Sequence, residues 1–189
     1  MATTTLRINL NDVNAQFFKE LKASVGNTAQ VEIKVEDTKH GEGLFSEDQF
    51  WSIIDLLDWQ KKQRAEIMVP AVSALSKMPV SSIYLFQDML SEKLYQLDTR
   101  RHADAYLQKQ EDGDLSVDDF LYVRCAVVAE GKVYYAEILA NPSAMPADID
   151  FEHLLSLAGD AYKLKTGREF VYSPLFNYET KSNTDGWKN

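Results

Sequence analysis

The sequence predicts a mainly α protein: a compact multi-helix domain preceded by a small strand–helix–strand module, α+β overall. Three observations lead there. From residue 46 onward, apolar side chains recur mostly at spacings of three and four. Near the N-terminus the spacing changes to alternation in two short runs. The 189 residues are 45% hydrophobic, enough for one domain with a real core plus a small appendage.

The N-terminal elements come first. Leu6, Ile8 and Leu10 alternate with Arg7 and Asn9, the pattern of a half-buried strand. Asn11 or Asn14 can cap a helix with Phe17, Phe18, Leu21 and Val25 on its apolar side, and Gly26 stops it. Val31, Ile33 and Val35 then alternate with Glu32, Lys34 and Glu36, predicting a second strand. Two strands alone are marginal. The sheet edge must dock on the chain or pair with another molecule. This gives a module over 1–37, followed by a Gly-containing, charged linker over 38–45.

Helices follow over 46–170. Ser46 and Gln49 form a capping box, and Phe45 and Phe50 stand at the positions of a hydrophobic staple. They open a helix over 46–59, with Phe50, Ile53, Ile54 and Leu57 on one face and Trp51 and Trp59 widening it. After the polar run 60–64, a second helix ends near Lys77, with Pro70 expected in or near its first turn. Pro79 starts a longer helix carrying Ile83, Phe86, Leu90, Leu94 and Leu97, which the pattern extends through Tyr106. An acidic turn over 110–115 leads to a helix opened by Ser116 and Asp119, which Gly131 ends or bends. Residues 133–140 are helical up to Asn141-Pro142, and Asp150 caps a last helix that Gly167 closes. The aromatic-rich tail over 171–189 is expected to pack across the surface.

Charge narrows the function classes. A net charge of −9 opposes binding to a nucleic-acid backbone, whose phosphates need Lys and Arg, and suits a basic partner. The single cysteine, Cys125, allows no intrachain disulfide and fits a reducing compartment. No apolar run approaches the ~20 residues of a bilayer span, and the N-terminus lacks the blocks of a signal peptide, so the expected location is the cytoplasm. Gly-rich phosphate loops, nucleophile-elbow and paired-ligand metal motifs do not occur, so no cofactor and no metal is expected.

Two polar clusters carry potential chemistry. Asp98 and His102, read on one helix, stand one turn apart beside Arg101; they suit an acid–base pair, and the plainer alternative is an ion-paired helix end. Asp119, Tyr122 and Arg124 form the second cluster. There Asp118 or Asp119 would orient the Arg124 guanidinium, either as an internal bridge or as an anion clamp. Cys125, amid Val and Ala, reads as a core residue, and His153 as a surface or boundary residue.

Phe50-Trp51, Ile53-Ile54, Phe86, Leu94, Asp98, the 103–106 stretch, Asp119-Phe120, Tyr122, Arg124, Gly131 and Pro142 fall in an order that resembles the bacterial domain-of-unknown-function 4240 family over about residues 46–165. The resemblance implies a mainly helical bacterial domain with no assigned activity and no site residues to carry over. The first 37 residues resemble the N-terminal pieces of some bacterial antitoxin-like proteins. The functional expectation is a non-catalytic protein-binding or regulatory module, toxin-neutralising in one version, that meets a partner or itself through the N-terminal sheet edge. The alternative is an enzyme or small-ligand binder with a polar site around Asp98, Asp119 and Arg124.

Overall fold

The computed structural model describes residues 6, 8, 12–26, 29, 31–34, 44–110 and 113–188, and the chain divides into two compact units, Met1–Gly41 and Glu42–Asn189. The described residues contain α-helices and short 3-10 turns and no strand. The fold class is therefore all-α among them, and the predicted strand–helix–strand module is corrected.

In the first unit one helix is present, α1 (Ala15–Val25). Asn14 caps it by accepting the Gln16 and Phe17 N–H groups, and Gly26 ends it at φ 85°, a conformation that suits glycine. No described residue of the runs on either side is in a strand. Leu6 is 61%, Ile8 46%, Val31 56% and Ile33 70% exposed, so these four alternating residues are not buried. Alternation makes a strand only where a sheet and an apolar surface receive it. Parts of both runs, Asn11 and most of the expected linker lie outside the described residues. With no strand among the described residues there is no sheet edge among them, so the partner surface expected there is withdrawn.

The second unit is a helical bundle. Ser46 and Gln49 close the capping box on α2 (Glu47–Ile54). Phe50 stacks 4.9 Å from Phe86, and Phe45 lies 6.5 Å from the same ring. The helix stops earlier than its pattern suggests. Asp55 gives its N–H to the Trp51 carbonyl, the chain turns, and Asp58 donates to the Ile67 carbonyl of α3 (Arg64–Lys77). Leu57 remains buried after the turn, so a helical spacing of apolar residues survives where the helix does not.

Pro70 sits inside α3, one turn later than its chemistry prefers. The helix begins early because Arg64 is held by Asp150 and Glu152, and because Ile67 and Met68 are buried ahead of the proline. The long helix expected through Tyr106 is two helices, α4 (Val80–Leu97) and α5 (Arg100–Leu107). Asp98 breaks it at ψ 69°, and Thr99 caps α5 by accepting the His102 N–H.

Ser116 caps α6 (Val117–Ala129), whose central residues are buried nearly all round. Gly131, at φ 96°, lets the chain turn directly into α7 (Lys132–Ala140). Asp150 does not cap the last helix. It pairs with Arg64, a 3-10 turn covers Glu152–Ser156, and α8 (Leu157–Thr166) ends at Gly167 in the left-handed region. α8 runs against α3, and Phe86, Leu90, Leu94, Phe120 and Val127 fill the middle of the bundle. No helix among the described residues is long and apolar enough to cross a membrane.

Two substitutions test this packing by urea denaturation. Phe86→Ala should remove about 3–5 kcal/mol, the cost of a large core cavity. Ser46→Ala should remove about 1 kcal/mol by taking away the cap.

Candidate functional site

The α4–α5 break places a carboxylate where helices would otherwise be continuous. Asp98 is fully buried, and both its oxygens accept hydrogen bonds from the C-terminal segment. Lys181 N–H (3.0 Å) and the Trp187 indole N–H (2.9 Å) donate to Oδ1. Asn183 N–H (3.0 Å) donates to Oδ2, with the Ser182 hydroxyl at 3.4 Å. For two successive odd-numbered amides to point at one carboxylate, the chain must curl, and Lys181 takes φ 74° to do so.

Arg124 is also fully buried, on the inner face of α6. Its Nη1 donates to the Leu94 carbonyl at 2.9 Å and its Nη2 to the Thr180 hydroxyl at 2.9 Å. Thr180 in turn donates to the Val117 carbonyl. The guanidinium lies over the Phe120 ring, 5.0 Å from its centre. Burial pulls the Arg124 pKa below its ordinary value, and the charge of Asp98 pulls it back up. Its Nε has no hydrogen-bond partner among the described residues.

His102 is buried on α5. Its Nε2 faces the Ile138 carbonyl at 3.2 Å, and a carbonyl only accepts, so Nε2 carries the proton. Nδ1 then accepts from the Thr99 hydroxyl at 2.7 Å. Burial holds the imidazole below its usual pKa, so it is neutral, against the pull of the Ile138 carbonyl.

The six residues singled out by sequence divide by exposure. Asp98, His102 and Arg124 are buried, and Asp98 and Arg124 meet the same C-terminal segment. Arg101 and Asp119 face solvent, and Tyr122 is half-buried. Asp98 and His102 do not share a helix, because the break falls between them. The expected bridge from Asp118 or Asp119 to Arg124 is not among the ion pairs of the described residues; Leu94 and Thr180 take the guanidinium instead. Cys125 is fully buried, and burial pushes its thiol up to about 12. No group of three or more metal-ligating side chains occurs among the described residues.

A second feature escaped the sequence reading. A cleft of about 360 Å³ opens between α2, α4 and α7, lined by Trp51, Lys93, Gln96, Tyr135, Ala136 and Leu139 among others. Trp51 and Tyr135 lie 5.3 Å apart, and the Lys93 amine sits 6.0 Å and 5.6 Å from their ring centres. Glu47 accepts from Lys93 at 2.7 Å and from the Trp51 indole at 3.2 Å, which holds its carboxyl below the usual range. The Tyr135 hydroxyl donates to Gln96 at 2.6 Å, and burial drives its pKa upward. Only the Phe-Trp pair and the Glu47–Trp51 spacing of i to i+4 hint at this in sequence; Lys93 and Tyr135 join them from two other helices.

With this geometry in place, comparison with known proteins can be stated. The model of the family described as Protein of unknown function (DUF4240) matches residues 45–164. That is more than half of the chain, and the chain belongs to this family. No curated protein and no solved structure matches it. The antitoxin-like resemblance of the first 37 residues lies outside the match and gains no support.

Two measurements follow from the buried groups. Cys125 should leave an aromatic disulfide reagent unreacted in the native protein and react fully in urea, read by absorbance. His102 has a lowered pKa in the fold, so the unfolded chain takes up the proton first. Stability should therefore fall as pH drops through about 6.5, the ordinary histidine value. The urea midpoint should decline between pH 7.5 and 5.5, and His102→Gln should flatten that decline.

Proposed function

We propose that this DUF4240 protein is a non-catalytic protein-binding, regulatory module that takes apolar side chains of a protein partner in the α2–α4–α7 cleft. The observation that supports it most is the composition of the cleft. The buried rings of Trp51 and Tyr135 form its floor, Ala136, Leu139 and Ala140 are its exposed apolar surface, and its charged groups are paired, Lys93 with Glu47 in the lining and Lys132 with Asp48 beside it. Such a surface gains by excluding water and offers polar groups at its rim, the division seen at protein interfaces. The cleft also continues onto an uncovered stripe of α7, where Val133 is 84% exposed and Ala136, Leu139 and Ala140 face outward.

The enzyme or small-ligand reading around Asp98, Asp119 and Arg124 has less behind it. The first and last are occupied by the protein's own tail, and Asp119 stands apart in solvent. The regulatory role we infer belongs to a bacterial cytoplasm. Toxin neutralisation is one version of it. The net charge of −9 supports a basic partner, and the lone buried thiol supports a reducing setting.

The reading is tested by comparing proteins recovered from native-cell extract on immobilised wild-type chain, Ala136→Arg and Val171→Arg. Ala136→Arg puts a long cation at the cleft and should lower recovery of a specific partner at least tenfold. Val171→Arg, on an exposed residue that does not line the cleft, should leave it unchanged. Equal recovery on all three, with unchanged melting temperatures, overturns the proposal.

A further inference from the structure

Resting on the reading of the α2–α4–α7 cleft as a protein-binding site, we propose that its occupant is an amphipathic helix of the partner with Lys or Arg on both flanks of its apolar stripe, and that Glu92 and Glu137 select it. The receiving surface is a stripe along α7. Val133, Ala136 and Ala140 stand at i, i+3 and i+7 and are all exposed, with Leu139 beside them at 37%. From Val133 to Ala140 the rise is roughly 10 Å, about two turns of helix. Ala136 and Ala140, one turn apart, keep their side chains short, which lets the axis of a second helix come close.

The walls of the cleft decide the form of the occupant. They are helices, and the main-chain groups along α4 and α7 are bonded within their own helix. Such walls offer no row of free N–H and C=O groups, so an extended peptide would bury main-chain groups without partners. A helix arrives with its main chain already satisfied and needs only an apolar surface, the helix-in-groove mode of recognition. The buried Trp51 and Tyr135 rings, 5.3 Å apart, give that surface its floor.

Charge decides its flanks. On the α2 and α4 side of the stripe stand Glu47, Asp48 and Glu92. Glu92 accepts from the Gln96 amide at 3.2 Å, and Gln96 lines the cleft and accepts the Tyr135 hydroxyl. On the other side, one turn after Val133 and turned away from Tyr135 and Leu139, Glu137 is exposed. The cations that line the cleft, Lys93 and Lys132, are paired with Glu47 and Asp48. Glu92 and Glu137 enter no ion pair among the described residues. The negative charge left at the stripe is therefore theirs, one carboxylate on each side. Cations on both flanks of an entering helix meet these two groups, and a helix with acidic flanks is repelled by them.

The probes are fluorescein-labelled synthetic peptides of about 18 residues, long enough to hold a helix. All share one Leu and Ala stripe at helical spacing. One has Lys on both flanks, one has Glu there, and one is the Lys peptide with a central proline that breaks its helix. Each is titrated by anisotropy into the full chain at matched salt. The Lys peptide should bind at least tenfold more tightly than the Glu peptide and than the proline peptide, and Ala136→Arg should abolish its binding. Glu92→Lys with Glu137→Lys should reverse the preference between the Lys and Glu peptides. Asp114→Lys with Asp160→Lys changes the net charge equally at exposed positions that do not line the cleft, and should keep the preference. If the first double variant does not fold, the exposed Glu137→Lys alone should narrow the preference at least threefold. No binding of the Lys peptide, equal binding of the three peptides, or the same response in both double variants overturns the proposal. Where that happens while Ala136→Arg still lowers recovery of the native partner, the cleft remains a binding site and only the basic helix fails. Equal recovery of that partner on Ala136→Arg and wild type removes the cleft reading itself.

Discussion

Two fully buried charges, Asp98 and Arg124, organise much of the helical unit. A carboxylate or guanidinium taken out of water is tolerated only when its hydrogen-bonding capacity is met inside the protein. No direct ion pair between them is found among the described residues. Each is met by dipoles: Asp98 by amides and an indole of the C-terminal segment, Arg124 by a helix carbonyl, a hydroxyl and an aromatic face. That requirement explains features which otherwise look unrelated. The α4–α5 helix must break to aim Asp98, Lys181 must adopt a left-handed conformation, and the chain after α8 must return across the bundle. The link continues through Thr99, which caps α5 and donates to His102, whose other nitrogen reaches the end of α7. Polar contacts thus tie four helices to the C-terminus around a core that is otherwise apolar.

Local chemistry in the sequence located several boundaries correctly because those boundaries are made locally. The Ser46–Gln49 capping box, the Ser116 cap, Gly131 between α6 and α7, and Gly167 after α8 each depend on residues within one turn. The errors lie where distant residues decide. Leu57 keeps helical spacing but is buried from a turn, since α3 captures the chain at Asp58. Pro70 is carried inside α3 because Arg64 is tied to Asp150 and Glu152, which are 86 and 88 residues away. The alternating runs around α1 resemble strands until one asks which surface would bury their apolar residues, and among the described ones Leu6, Ile8, Val31 and Ile33 are all exposed.

The same distinction governs the site. Asp98, His102 and Arg124 stood out in sequence because a polar residue amid apolar neighbours must be explained. Catalysis is one explanation and internal anchoring is another, and periodicity does not separate them. Exposure and partners do. The tail residues that meet Asp98 and Arg124 lie 56 to 89 positions away from them, in a segment with no helical or strand periodicity to announce its path. The cleft was equally hidden, since Trp51, Lys93 and Tyr135 come from three helices whose packing angles no local pattern encodes.

The cleft and the buried polar cluster of Asp98 and Arg124 also differ in chemistry. In the cleft, the Lys93 ammonium is shared between Glu47 and two rings, and the Tyr135 hydroxyl is held by Gln96 with its proton more firmly bound than usual. The Tyr135 hydroxyl is not poised to release a proton near neutral pH, and the buried rings form a fixed floor beneath the exposed Ala136 and Leu139. In the cluster, the carboxylate and guanidinium are fully buried and are met by the chain's own amides, indole, carbonyl and hydroxyl. Both draw on α4, the cleft through Lys93 and Gln96 and the cluster through Leu94, Tyr95 and Asp98 at its end, so that helix is the element that positions both.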